Sequence, residues 1–182
     1  RTFTVPAEWD GREVYINFDG VDSFFYLWIN GHYVGFSKNS RNLAAFNITD
    51  FLQKGENTVA VEVYRSSDAS FLESQDMMRL PGIFRSVSLT SKPQVHVRDL
   101  VVIPDLDNDY VNGSLTITAD VRNLSKKKAK GYKMTYTLYA NPLYSDETRL
   151  VDGVGAEVEV NEVASGHSEA ARTVLYVTNP MK

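Results

Sequence analysis

The sequence predicts an all-β fold built as two successive antiparallel sandwiches. Runs that alternate apolar and polar residues recur along the chain, as half-buried strands do. Turn signals separate them at spacings typical of sandwiches, and no amphipathic helix of useful length interrupts the pattern. At 182 residues there is room for two domains that each bury a core.

The first set of runs covers 2–5, 13–18, 24–29, 33–36, 45–48, 58–64 and 83–89. Asp19-Gly20, Asn30-Gly31 and Lys54-Gly55-Glu56-Asn57 punctuate it, and Asn30-Gly31, between two runs, is the strongest hairpin signal in the chain. Residues 48–52 fit one short helical turn. The pattern pauses at Thr90-Ser91-Lys92-Pro93, which places a domain boundary near Pro93. The second set, 95–103, 114–121, 134–140, 158–160 and 173–177, reads as an immunoglobulin-like sandwich. A parallel α/β core is absent from this pattern, and with it the usual catalytic platforms on α/β sheets and barrels.

Composition narrows the function classes. Nineteen Lys and Arg against 23 Asp and Glu give a net charge of −4, which offers no attraction to phosphate backbones or anionic membranes. Nucleic acid and membrane partners are therefore not expected. The absence of cysteine excludes disulfides, thiolate metal sites and a cysteine nucleophile.

The loop after 58–64 is the chain's most unusual segment. From Asp68 to Arg85 it holds acids, an amide, an arginine and two methionines before turning at Pro81-Gly82, where an ordinary connector would be shorter and less apolar. Glu73 and Asp76 do not suit a glycosidase acid pair, because that reaction needs carboxylates on opposite sides of the scissile bond. Asp68 and Glu73 read as loop structure or domain docking. Trp9 and Trp28, with Phe24, Phe25 and Tyr26, could stack on a sugar, but aromatics on alternating strands more often fill a sandwich core.

Elsewhere the signals are bland. Asp105-Leu106-Asp107-Asn108-Asp109 has acids at alternate positions, but Tyr110 and Thr116 stand where a calcium loop needs glycine and glutamate, so a solvated hairpin loop is expected. The basic run from Ser125 to Gly131 reads as a hairpin tip. His32, His96 and His167 lack ligand spacing, and three glycosylation-type triplets start at Asn47, Asn112 and Asn123.

Taken together, Asn30-Gly-His-Tyr-Val-Gly-Phe-Ser37, Asn39-Ser-Arg41, Ala45-Phe-Asn-Ile-Thr49, Gly55-Glu-Asn57, the run from Ser67 through Gln75-Asp76-Met77 to Arg79, and Gly82-Ile-Phe-Arg85 closely resemble the N-terminal sugar-binding domain of large bacterial β-galactosidases, in glycoside hydrolase family 2. The resemblance implies a galactose-binding-like jelly roll over 1–93, expected to have further sequence before Arg1. It implies an immunoglobulin-like β-sandwich over 94–182, a match that rests on position and on Val177-Thr-Asn-Pro180, with strands expected beyond Lys182. A catalytic barrel carrying both catalytic glutamates would lie outside this chain, so the chain itself would hold no catalytic residue and be inactive alone.

The resemblance also assigns the unusual loop. It implies that the loop reaches to the barrel mouth, where Asp76 contacts galactosyl hydroxyls and helps to bind sodium, while Met77, Met78, Arg79, Leu80 and Phe84 dock on the barrel. Many members have tryptophan in place of Met78. Sodium and magnesium are expected in the parent and no cofactor in this chain; the parent is expected to be a bacterial homo-oligomer, cytoplasmic or periplasmic. The rival readings are accessory domains of a β-glucuronidase or β-mannosidase, and a free-standing carbohydrate-binding module.

Overall fold

The computed structural model describes residues 1–73, 75–76, 78–141 and 144–180. The described chain is all-β apart from three short 3-10 turns, and it divides into two units, Arg1–Pro93 and Gln94–Lys182.

In the first unit the two main layers are a four-stranded and a three-stranded sheet. The former orders β1 (Thr2–Thr4), β7 (Glu56–Tyr64), β4 (Phe24–Ile29) and β5 (His32–Ser37). The latter orders β6 (Ala44–Asn47), β2 (Glu13–Phe18) and β9 (Val87–Lys92), and a ribbon pairs β3 (Val21–Asp22) with β8 (Gly82–Ile83). Val14, Ile16 and Phe18 of β2 meet Phe25, Leu27 and Ile29 of β4 between the layers, so each strand sends alternate side chains into one core. Asn30-Gly31 makes the expected two-residue hairpin, both residues at positive φ, 50° and 79°.

The motif asparagines of this unit are structural. Asn57 is fully buried: its Nδ2 donates to the Gln53 and Gly55 carbonyls, and its Oδ1 accepts from Gln53 N–H and Asn30 Nδ2. Asn30 Oδ1 in turn accepts from Thr58 N–H at 2.8 Å. Every donor and acceptor of the buried amide is used, which is what allows it to sit there.

The second unit places β10 (Val95–Leu106), β11 (Gly113–Asn123) and β14 (Ser168–Val177) in one sheet, and β12 (Lys133–Ala140) with β13 (Arg149–Glu159) in another. Ile117, Ala119 and Leu175 pack against Tyr136, Val154 and Val158, filling an immunoglobulin-like core.

Four expectations need correction. The run 83–89 is two strands, because the chain leaves the β3 ribbon at Ile83 and joins β2 only at Val87. The basic run is a crossover between sheets: β11 pairs with β10 and β14, whereas β12 pairs with β13. Within it Lys128 Nζ meets Glu162 at 2.6 Å and Ala129 bridges to Val163. Strand β13 begins nine residues before the expected 158–160.

The fourth correction concerns the aromatics. Phe25 is core, and Trp9 packs partly buried against it, but Phe24, Tyr26 and Trp28 project from the other face of β4. There they join Tyr33, Phe36 and Tyr64 in one cluster with ring centroids 4.6–6.3 Å apart. A bulge opposite Leu27 and Trp28 brings Tyr33 and Phe36 to the same face. The rings are tilted or edge-on to each other, the arrangement their quadrupoles favour.

The loop of Asp76 and the family of the chain

The loop from Arg65 to Pro81 leaves β7 and returns at β8, and its first half is fastened by small polar side chains. A 3-10 turn, Asp68–Phe71, opens it, with Ser67 N–H donating to Ser70 Oγ at 2.9 Å. The buried Ser23 hydroxyl, just past β3, lies 2.7 Å from Ser70 Oγ and 3.1 Å from Ser67 Oγ. Lys38 Nζ reaches Asp68 at 2.9 Å and, with the Ala69 N–H, holds that exposed carboxyl below its usual range. Glu73 accepts from both the N–H and the hydroxyl of Ser40.

Beyond Glu73 the loop turns outward. Asp76 is exposed, and no described group donates to its carboxylate. Met78 and Leu80 are 81% and 69% exposed, an unusual state for large apolar side chains. Arg79 donates to the Ser70 carbonyl at 2.7 Å, and the guanidiniums of Arg41 and Arg85 each lie over Phe84, 5.2 Å from its ring centre. Phe84 also covers Gly20, where a Cβ would stand 2.7 Å from its ring. Arg79 and Phe84 thus have partners within the first unit, while Met78 and Leu80 are open to a partner surface. Met77 lies outside the described residues.

Sequence reasoning missed Ser23, Ser40 and Ser70. They are buried and hold the loop through their hydroxyls; Ser40 and Ser70 lie within runs that carry the resemblance, Ser23 does not. Serine is too common a residue for its place in those runs to have marked it as an anchor.

The remaining sequence candidates resolve as structure. Asp107 caps the β10–β11 loop, accepting from the N–H groups of Val111 and Asn112 and from Asn112 Nδ2. The triplet asparagines are engaged as well: Asn47 Nδ2 donates to Glu13, and fully buried Asn123 donates to the Lys127 and Val163 carbonyls. Among the described residues no group of three or more His, Cys, Asp or Glu side chains is placed to hold a metal.

Asp107 carries a pH prediction. Its carboxyl is held below the usual carboxylate range, chiefly by the Val111 N–H and further by Asn112, against opposing desolvation. A depressed folded-state value means that the stabilisation is complete above the unfolded value and is lost as pH falls through the folded one. The Val111 amide should therefore keep its protection from exchange down to about pH 4 and lose it in more acid solution. An Asp107 titration midpoint at or above the ordinary value would remove this account.

Comparison with known proteins gives the wider setting. Residues 1–93 match the family model for the sugar binding domain of glycosyl hydrolases family 2. A β-galactosidase of Priestia megaterium is 52% identical over 139 residues, 76% of this chain and 13% of the relative. A β-galactosidase of Pectobacterium atrosepticum is 42% identical over 180 residues, 98% of this chain and 17% of the relative. This chain therefore spans less than a fifth of the length of either.

Solved structures agree in fold. The β-glucuronidase of Bacteroides uniformis superposes with a TM-score of 0.83 at 23% identity, over 100% of this chain and 22% of that one. A family 2 glycosyl hydrolase of Bacteroides cellulosilyticus gives 0.78 at 17% identity, over 100% of this chain and 23% of that one. The family model covers just over half of the chain, and the Pectobacterium relative aligns with almost all of it at 42% identity: the chain belongs to glycosyl hydrolase family 2.

Proposed function

We propose that this chain is the accessory β-sandwich part of a β-galactosidase, and that its Asp76 loop completes an active site whose acid and nucleophile lie on another part of the protein. The observation that carries this reading is the loop: its base is tied by polar side chains, and its outer part presents Asp76, Met78 and Leu80 to the outside. The β-galactosidase names of relatives at 42% and 52% identity favour a β-galactoside over a glucuronide or mannoside.

In this reading Asp76 is a binding group. An ionised carboxylate accepts hydrogen bonds from sugar hydroxyls, and it contributes to rate where those bonds tighten at the transition state. Asp76 also suits one position in the oxygen shell of a hard cation such as sodium, whose other ligands would come from outside this chain. Met78 and Leu80 supply adaptable apolar area for docking on a neighbouring domain.

Retaining hydrolysis needs two carboxyl groups about 5–5.5 Å apart on either side of the bond. Glu73 is committed to Ser40 and Asp68 to Lys38, which leaves Asp76 without a partner acid in this loop. The test uses nitrophenyl β-galactoside, β-glucuronide and β-mannoside. The full-length protein should hydrolyse the galactoside best, and residues 1–182 alone should hydrolyse none of them. Preference for the glucuronide would replace the substrate assignment, and turnover by the purified chain that survives further purification would overturn the accessory role.

A further inference from the structure

Asp76 sits between two fastenings in sequence. Three residues before it, Glu73 Oε1 accepts from Ser40 N–H at 3.1 Å and Oε2 accepts from Ser40 Oγ–H at 2.5 Å. Three residues after it, Arg79 Nη2 donates to the Ser70 carbonyl at 2.7 Å.

Ser40 is an unusual anchor for an outward-facing loop. It is only 2% exposed, just past the end of β5, and Asp22 Oδ1 also approaches its hydroxyl, at 3.4 Å. A hydroxyl has one proton to donate, and the shorter contact takes it, so Glu73 is the acceptor. Asp22 Oδ2 lies 3.9 Å from Arg41 Nη2, a charge that offsets the two acids in one small pocket. Met78, Leu80, Phe71 and Leu72 are all strongly exposed and give the loop little apolar anchorage, which leaves its polar ties to hold it.

We propose that Glu73 is a positioning residue: clamped by both donors of Ser40, it fixes the part of the loop from which Asp76 reaches substrate. The proposal rests on the reading of Asp76 given above. Glu73 touches neither sugar nor reacting atoms, and its effect on the reaction passes through Asp76. Glu73→Gln keeps an oxygen acceptor within reach of Ser40, whereas Glu73→Ala leaves both donors without it.

The test compares Glu73→Ala, Glu73→Gln, Ser40→Ala, Asp76→Ala and the Glu73→Ala/Asp76→Ala double variant in the full-length protein. The readouts are kcat/KM on nitrophenyl β-galactoside and deuterium uptake by peptides covering 72–80. Glu73→Ala should lose about ten- to a hundredfold, the scale of a misplacement near 1 Å. Glu73→Gln should recover most of that, and Ser40→Ala, which keeps the backbone donor, should lose less than Glu73→Ala.

The double variant should fall within about twofold of Asp76→Ala, because residues that act through one group are not additive. Uptake should rise in Glu73→Ala and stay at the parent level in Asp76→Ala. Additive losses, unchanged uptake, or Glu73→Gln as impaired as Glu73→Ala would each overturn the proposal. If Asp76→Ala is impaired and Glu73→Ala is not, the positioning role alone fails. If Asp76→Ala keeps full turnover, the assignment of Asp76 fails and this inference goes with it.

Discussion

Asp76→Ala in the full-length protein should lower kcat/KM for a β-galactoside by roughly thirty- to a thousandfold. The figure follows from about 2–4 kcal/mol for a carboxylate whose hydrogen bonds tighten at the transition state, at 1.36 kcal/mol per factor of ten. Asp76→Asn keeps the shape but removes the charge, so it should lose rate and also any response to sodium. Because Asp76 is exposed and no described group donates to it, either change should leave stability within about 0.5 kcal/mol, which a melting curve checks. Asp68 is the control in the same loop. It is an exposed partner of Lys38, and Asp68→Ala should leave turnover close to that of the parent. A turnover and sodium response within about twofold of the parent in Asp76→Ala, under ~0.5 kcal/mol, would remove the assignment.

The parts of this fold that were legible in the sequence are those where local chemistry and tertiary structure agree. Glu13–Phe18 and Phe24–Ile29 were read at their observed bounds, because β-branched and aromatic residues fill them and turn residues close them. Strand β13, Arg149–Glu159, was largely missed because Gly153 and Gly155 look like breakers. In the sheet Gly153 has φ +72°, in a bulge where the register slips against β12, and a Cβ on Gly155 would stand 2.8 Å from the Tyr136 carbonyl oxygen. These glycines belong to the strand, but only the partner strand shows why.

The aromatic stripe failed for a related reason. Alternation separates Phe25 from Phe24, Tyr26 and Trp28, yet it does not say which set faces the core when both are apolar. For the loop the order was reversed: its composition drew attention to the segment and the family resemblance to Asp76, while the serines that hold it carry no pattern of their own. Such contacts join residues far apart in sequence, Ser40 to Glu73 and Ser23 to Ser70, and only the fold brings them together.

Phe25→Ala should destabilise the first unit by about 3–5 kcal/mol, the usual cost of removing a buried phenylalanine. Phe25 is 1% exposed, and its ring lies 4.7 Å from that of Phe18 and 5.9 Å from that of Phe46. Phe18 and Phe46 belong to the three-stranded sheet and Phe25 to the four-stranded one, so truncation opens a cavity at the contact that joins the layers. Phe25→Leu retains most of the volume and should cost less. Tryptophan fluorescence during urea unfolding reads the effect in the right place, because Trp9 and Trp28 both lie in 1–93 and the second unit has none. With a typical domain stability of about 5–15 kcal/mol, the midpoint should move far to lower urea with little change in slope. A loss below about 1 kcal/mol would mean that the layers do not meet through Phe25. The sandwich that carries the Asp76 loop would then need a different core.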